Sequence, residues 1–203
     1  MTEYEKKIKN KKIERIVGLD FAMDGLFVES ETGKKANYPR FYRQMLHTLA
    51  IEQRKLSRKK KGSANWQKQR MRVAKINEKI ANQRKNFLQH QSKELATTFD
   101  AVVIEDLDMK AMSQALKFGK SVADNGWGMF ISFLQYKLQE QGKPLIKIDK
   151  WFPSTKTCSR CGAVKEINLA ERIYQCTCGL TLDRDINAAI NIKKEGIRLL
   201  ASA

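Results

Sequence analysis

Outside one stretch of 21 residues, this 203-residue chain contains no cysteine. Its two histidines, His47 and His90, stand apart from every motif, and no serine sits in a nucleophile pattern, so covalent catalysis lacks its usual parts. No apolar run approaches the ~18 residues of a membrane span, which excludes a membrane partner. The segment Met1 to Lys12 is charged throughout and reads as no export signal. Acidic residues are few, 22 against 39 basic ones, and a formal charge of +17 is too lopsided for an ordinary enzyme of small molecules. A polyanion is the expected partner, and nucleic acid is the usual one, although a ribosomal or architectural protein would show the same balance. The expectation is a cytoplasmic, nucleoid-associated prokaryotic protein that keeps its thiols reduced.

What is present is concentrated. Cys158, Cys161, Cys176 and Cys178 follow the spacing C-x2-C-x14-C-x-C. In a reducing compartment, paired short-spaced cysteines read as a tetrahedral Zn2+ site that holds a small ribbon, with redox chemistry or idle thiols as the alternatives. The last pair is one residue shorter than usual, and Gly179 follows it to make the tight turn.

The length suits one core with a small appendage. Ile13 to Phe21 is a β-branched apolar run, Gly25 to Glu29 reads as its partner strand, and Gly33-Lys34 turns into a third. Arg40 to Lys61 reads as a helix around Met45, Leu46, Leu49 and Leu56. After Gly62, Ser63 or Asn65 caps a second helix of about 30 residues with apolar positions at Val73, Ile76, Ile80, Phe87 and Leu95. The pair forms an antiparallel hairpin whose turn is crowded with Arg54, Arg58, Lys59, Lys60 and Lys61, either a solvated face or a phosphate-contacting one. Ala101 to Ile104 and Pro144 to Asp149 read as further strands, separated by a helix with the stripe Trp127, Phe130, Ile131, Leu134 and Leu138. The order implies a mixed α/β sheet, with early meander strands followed by parallel crossovers.

Three acids fall at element ends that such a sheet could bring together: Asp20 after the first strand, Glu105 after Ala101 to Ile104, and Asp185 in the first turn of the last helix. Clustered carboxylates are costly unless cations neutralise them, and hard oxygen ligands suit Mg2+ or Mn2+. Each acid has a structural rival. Asp20 could end its strand as a turn former, though Asp24 suits that better; Glu105 competes with Asp106 and Asp108. Asp183 and Asp185 could both cap the final helix, and the cap is assigned to Asp183 and the metal to Asp185.

Val17-Gly18-Leu19-Asp20, Ile104-Glu105-Asp106-Leu107, Thr157-Cys158-Ser159-x-Cys161-Gly162 and Asp183-Arg184-Asp185-x-Asn187-Ala188-Ala189-x-Asn191-Ile192 occur in this order. Together they resemble the TnpB (OrfB) family of insertion-sequence proteins, kin of the type V CRISPR effector nucleases, over about Ile13 to Ile192. The resemblance implies an RNase H-like RuvC core over residues 1–150 that includes a helical hairpin at 40–97. A zinc ribbon that binds target nucleic acid would occupy 151–182, and a closing helix and tail 183–203. It implies catalytic acids at Asp20, Glu105 and Asp185, and zinc ligands at Cys158, Cys161, Cys176 and Cys178. The reaction it implies is RNA-guided DNA cleavage, in which guide pairing reads the target. Family members carry a long wedge and recognition region ahead of the first RuvC strand. About 12 residues stand there in this chain, so the expectation is a form lacking that region, with a possible partner chain to supply it.

The leading expectation is a metal-dependent endonuclease acting on single-stranded or unwound DNA, with guide RNA as partner in full-length members. The alternative is a non-cleaving, nucleic-acid-binding regulator or accessory subunit. Arg184, with Asn187 and Asn191 on one helical face, could steady the metal cluster or reach a phosphate, and Asn191 could equally serve helix packing. Trp127 reads as a core anchor, whereas Trp151 and Phe152 could stack on bases or pack inward. Asp108 to Asn125 could be a lid over the acids or an ordinary loop.

Overall fold

Alternation along the strands decides the architecture, because successive strand residues point to opposite faces. In the computed structural model, which describes residues 3, 12–109, 111–112, 125–168 and 171–202, four strands form one sheet in the order β2-β1-β3-β4. β1 (Ile16–Phe21) pairs antiparallel with β2 (Phe27–Glu29) and parallel with β3 (Ala101–Glu105), and β3 pairs parallel with β4 (Leu145–Ile148).

On one face Val17, Leu19, Val102 and Ile104 pack against Leu88 and Leu95 of helix α2 (Ala64–Thr98) and Trp127, Phe130, Leu134 and Leu138 of α3 (Trp127–Glu140). On the other, Val103 and Ile148 meet Ile192 of the closing helix α4 (Arg184–Ala201), with Ile16, Ile146, Phe152 and Leu199 around them. Trp127 is thus the core anchor expected of it. A mixed sheet covered on both faces is the expected α/β class, and its RuvC-like form is supported by a structural match described below.

The third meander strand is reduced to one antiparallel bridge, between Val28 and Lys35. Leu26 N donates to Ala36 O (2.8 Å) and Ala36 N donates to Phe27 O (2.9 Å), so two residues oppose one and a bulge breaks the ladder. The hairpin is formed by α1 (Phe41–Ser57) and α2, whose N-cap Ser63 accepts a bond from Trp66 N at 3.2 Å. Gln69 Nε2 donates to Glu52 O at 3.0 Å across the pair. At 35 residues, α2 is roughly 52 Å long at ~1.5 Å per residue, so its N-terminal end carries the basic turn far from the sheet. Most of Asp108 to Asn125, read as either a lid or an ordinary loop, lies outside the described residues. At its end, Asn125 Nδ2 donates to Ala22 O (3.2 Å) and to Gly25 O, tying down the β1–β2 turn that contains Asp24.

Helix α4 sits on the sheet more closely than side chains usually allow. Ala188 and Ala189 are fully buried against it, their small side chains permitting the close approach. A Cβ placed on Gly18 of β1 would come within 2.3 Å of Ala189 O and 2.5 Å of Lys193 N. One on Gly196 would come within 2.4 Å of a Val103 methyl. Gly18→Ala should therefore cost about 3 kcal/mol or more, because backbone must move, and Gly196→Ala about 1–3 kcal/mol, because a side chain can yield. Urea unfolding midpoints should rank wild type, Gly196→Ala, then Gly18→Ala from most to least stable.

Candidate functional site

Strand parity sets the positions of the acids. Gly18 faces α4, so Asp20, two residues on, shares that face; Val103 faces α4, so Glu105 does too. Parallel pairing of Leu19 with Ile104 places Asp20 and Glu105 one residue later, at the C-terminal ends of adjacent strands. Asp183 caps α4, its Oδ1 accepting from Asp185 N (2.9 Å) and Ile186 N (3.2 Å), which leaves the Asp185 carboxylate free of the capping task. The expected division of labour between the two aspartates is thus the observed one.

The acids lie near enough to act on one another electrostatically. Burial above all, then the neighbouring charges of Glu105 and Asp185, pushes the Asp20 carboxyl well above the usual range, with Arg184 opposing them. Burial also raises Glu105, against a bond from Ser154 Oγ to Glu105 Oε1 at 2.5 Å. Arg184 Nη2 stands 3.5 Å from Asp185 Oδ1, and its side chain is only 16% exposed. It is therefore turned towards the acids more than towards solvent. Among the described residues the three acids do not close into a tight ligand group as the cysteines do; like charges repel, and Glu105 and Asp185 are each held by a protein partner. Arg54, Arg58, Lys60 and Lys61 are exposed at the hairpin turn, Lys59 partly so, and none is brought to the acids.

The cysteines converge tightly. All four Sγ atoms lie within 4.8 Å of one another, with Cys158–Cys178 and Cys161–Cys176 each at 3.6 Å. A disulfide needs about 2.05 Å, whereas a tetrahedral Zn2+ with bonds of ~2.3 Å spaces its sulfurs by roughly 3.8 Å. The arrangement fits a zinc-ribbon site. Two knuckles build it: Gly162 N donates to Cys158 O (2.9 Å) and Gly179 N to Cys176 O (3.0 Å), both glycines at positive φ, 78° and 85°. Burial pushes the Cys158 thiol up, but the amides of Cys161 and Arg160 outweigh it and bring it down to about 6, favouring the thiolate that a metal needs. A hairpin of β5 (Ile173–Gln175) and β6 (Thr181–Asp183) carries the second knuckle.

Residues that sequence reasoning left open, or missed, join the ribbon to the sheet. Asn187 Oδ1 accepts from Ser159 N (2.9 Å), while its Nδ2 donates to Thr157 O (2.8 Å). Asn191 Nδ2 donates to Ser154 O (2.8 Å) and Thr157 O (2.6 Å). Both asparagines therefore bind ribbon backbone. Tyr174 was not singled out by the sequence; it is fully buried beneath the ribbon, its hydroxyl donating to Lys156 O at 3.1 Å. Its strand, Ile173-Tyr174-Gln175, shows no polar–apolar alternation, so the sequence carried no signal for it. Ser154 carried no signal, since its value lies in a contact 49 residues away.

Residues 1–116 match the OrfB family of IS605 type, described as "Probable transposase". The chain belongs to the TnpB/OrfB family. Residues 127–192 further match the "Cas12f1-like, TNB domain" family. A "Putative RNA-guided DNA endonuclease" of Streptomyces pristinaespiralis is 40% identical over 182 residues, 89% of this chain and 45% of that protein. The "Putative RNA-guided DNA endonuclease InsQ" of Escherichia coli (strain K12) is 31% identical over 170 residues, 75% of this chain and 42% of that protein. This TnpB-family chain thus spans less than half the length of those curated relatives. Its fold resembles the protein chain of a Cas12f1-sgRNA-target DNA complex, with TM-score 0.65 and 18% identity over 90% of this chain and 50% of that one. This supports the RuvC-like form of the sheet. Among the described residues no helix is long and apolar enough to cross a membrane.

Two outcomes are expected. Stripping zinc should speed amide exchange from about Lys156 to Leu182 while the β1-β3-β4 sheet keeps its protection; global unfolding would instead make the ribbon part of the main core. Asp20 is raised in the folded state, so its contribution to stability is complete below the unfolded value of about 3.9 and is lost as pH rises through the folded value. Without added Mg2+, Asp20→Asn should melt at a higher temperature than wild type at pH 7.5, and this gap should close towards pH 4.

Proposed function

We propose that this chain is the RuvC-type nuclease portion of a TnpB protein, a metal-dependent endonuclease that hydrolyses DNA phosphodiesters. The observation that carries the reading is the buried Asp20 beside Glu105 at the carboxyl ends of two adjacent parallel strands, with Asp185 in the first turn of the helix packed on them. Open α/β sheets bind ligands at that end, and like charges held there need a cation. Three carboxylates are a hard oxygen donor set, so Asp20, Glu105 and Asp185 would hold Mg2+ or Mn2+. Two such ions, when bound, activate a water and stabilise the leaving oxygen of a phosphodiester.

The chain's own side chains hold the rest in place. Ser154 orients Glu105 by its hydroxyl, Asp183 frees Asp185 by taking the cap, and Arg184 beside Asp185 offsets negative charge. Cleavage at the P–O3′ bond leaves a 3′-hydroxyl and a 5′-phosphate. The four cysteines hold a structural Zn2+, and the ribbon guides a single strand or unwound duplex towards the acids. The exposed turn with Arg54, Arg58, Lys59, Lys60 and Lys61 contacts backbone phosphates of nucleic acid lying along the hairpin, an attraction that weakens with salt. Guidance by RNA, named in the relatives' descriptions, is proposed for the protein as a whole.

With Mg2+ or Mn2+, a labelled single-stranded DNA should be cut by wild type, and Asp20→Ala, Glu105→Ala or Asp185→Ala should each slow cutting by about a hundredfold or more. Ser154→Ala should lose about tenfold and need more metal, because it disturbs a ligand only through its support. No metal-dependent cutting, with DNA or RNA binding retained, would replace this reading with that of a non-cleaving binding module.

A further inference from the structure

The most exposed large apolar side chain among the described residues is Trp151, at 81%. The other two tryptophans are sheltered: Trp127 is buried in the core and Trp66 is half-buried on the hairpin. Trp151 lies in the six-residue connection from Asp149 to Ser154, and both ends of that connection are fastened beside Glu105. At one end β4 pairs Ile148 with Glu105, and Asp106 N donates to Ile148 O at 3.1 Å. At the other, Ser154 Oγ donates to Glu105 itself.

The connection is also stiff. Asp149 Oδ1 accepts from Trp151 N at 2.7 Å, and Asp149 O accepts from Phe152 N at 3.1 Å. Phe152 is inserted against Val103, Ile148 and Ile192, which forces its neighbour outward. The indole is therefore displayed by a braced turn whose partner ring is the anchor. Lys150 Nζ stands 5.2 Å from the Trp151 ring centroid, placing a cation beside an aromatic surface. A rigid aromatic with an adjacent cation is the pairing that binds an unpaired base and its phosphate. Three residues of chain reach at most ~11 Å, so the indole stands within a few nucleotides of the acids at ~3.4 Å per stacked nucleotide.

We propose that Trp151 is a stacking platform for an unpaired base of the strand entering the acid site, with Lys150 beside it for that nucleotide's phosphate. This deepens the nuclease reading and rests on it for the direction of the strand. Every base has a π face, so the platform holds single strands with little sequence preference and registers the strand before the acids act on it.

Binding without added divalent cation tests the platform separately from cutting. The full chain is titrated by fluorescence anisotropy against a 12-nucleotide oligothymidylate and against an abasic deoxyribose-phosphate strand of the same length. Wild type should prefer the thymidylate, and Trp151→Ala should weaken that binding by about 5- to 150-fold while leaving the abasic strand's affinity unchanged. Trp151→Phe should keep most of the preference, and the salt dependence should be the same in all three proteins because no phosphate contact is lost. Equal thymidylate binding by wild type and Trp151→Ala would overturn the platform, as would a wild type that binds both strands alike; metal-dependent cutting, if retained, would then leave the nuclease reading standing. Failure to bind either strand would likewise overturn the platform, while the nuclease reading stands or falls by metal-dependent cutting.

Discussion

Helix α4 meets the sheet with no room for a methyl group, and the rest of the molecule is arranged around that contact. Gly18 and Gly196 remove the side chains that would hold the two apart, and Ala188 and Ala189 keep the helix face flat. The close approach fixes where the first turn of α4 can lie, which is beside the ends of β1 and β3. The charge of Asp185 bears on Asp20 for that reason. A larger residue at position 18 would lift the helix and carry the third carboxylate with it.

The same helix is the frame for the ribbon. Asn187 and Asn191 leave α4 one turn apart and bind the backbone of Ser154, Thr157 and Ser159. One helix thus carries an acid at its N-terminus and the ribbon's docking face within the next two turns. Ser154 closes the circuit by binding Glu105 through its hydroxyl and Asn191 through its carbonyl. Metal-braced knuckle, helix and acid-bearing strand therefore share bonded partners, so a disturbance at Thr157 has a short covalent and hydrogen-bonded path to Glu105.

The hairpin obeys different physics. Its contact with the sheet is made by the C-terminal third of α2, at Leu88, Leu95 and Ala96, while α1 and the rest of α2 bury little beyond Leu49, Gln69 and Ile80. A long, basic, thinly packed projection suits a role in electrostatic contact more than in chemistry, since phosphates are attracted over a Debye length and need no shaped cavity.

Much was legible before the fold was known. The cysteine spacing announced a metal knuckle, strand and helix periods located the sheet elements to within a few residues, and the order of four motifs pointed to the TnpB family. Asp183 as cap and Trp127 as core anchor also followed from local chemistry. The reduced third strand was not legible, because the bulge at Leu26-Phe27 depends on where Ala36 arrives. Local periodicity, spacing and composition are properties of neighbours along the chain, so the sequence alone determined the elements, the ribbon and the polycationic character. Which acids share a face of the sheet, why two glycines are needed beneath α4, what Ser154 touches and that Trp151 faces water while Phe152 faces the core depend on contacts between distant segments. Tertiary packing alone decided them, because only a closed core brings residues dozens of positions apart within bonding distance.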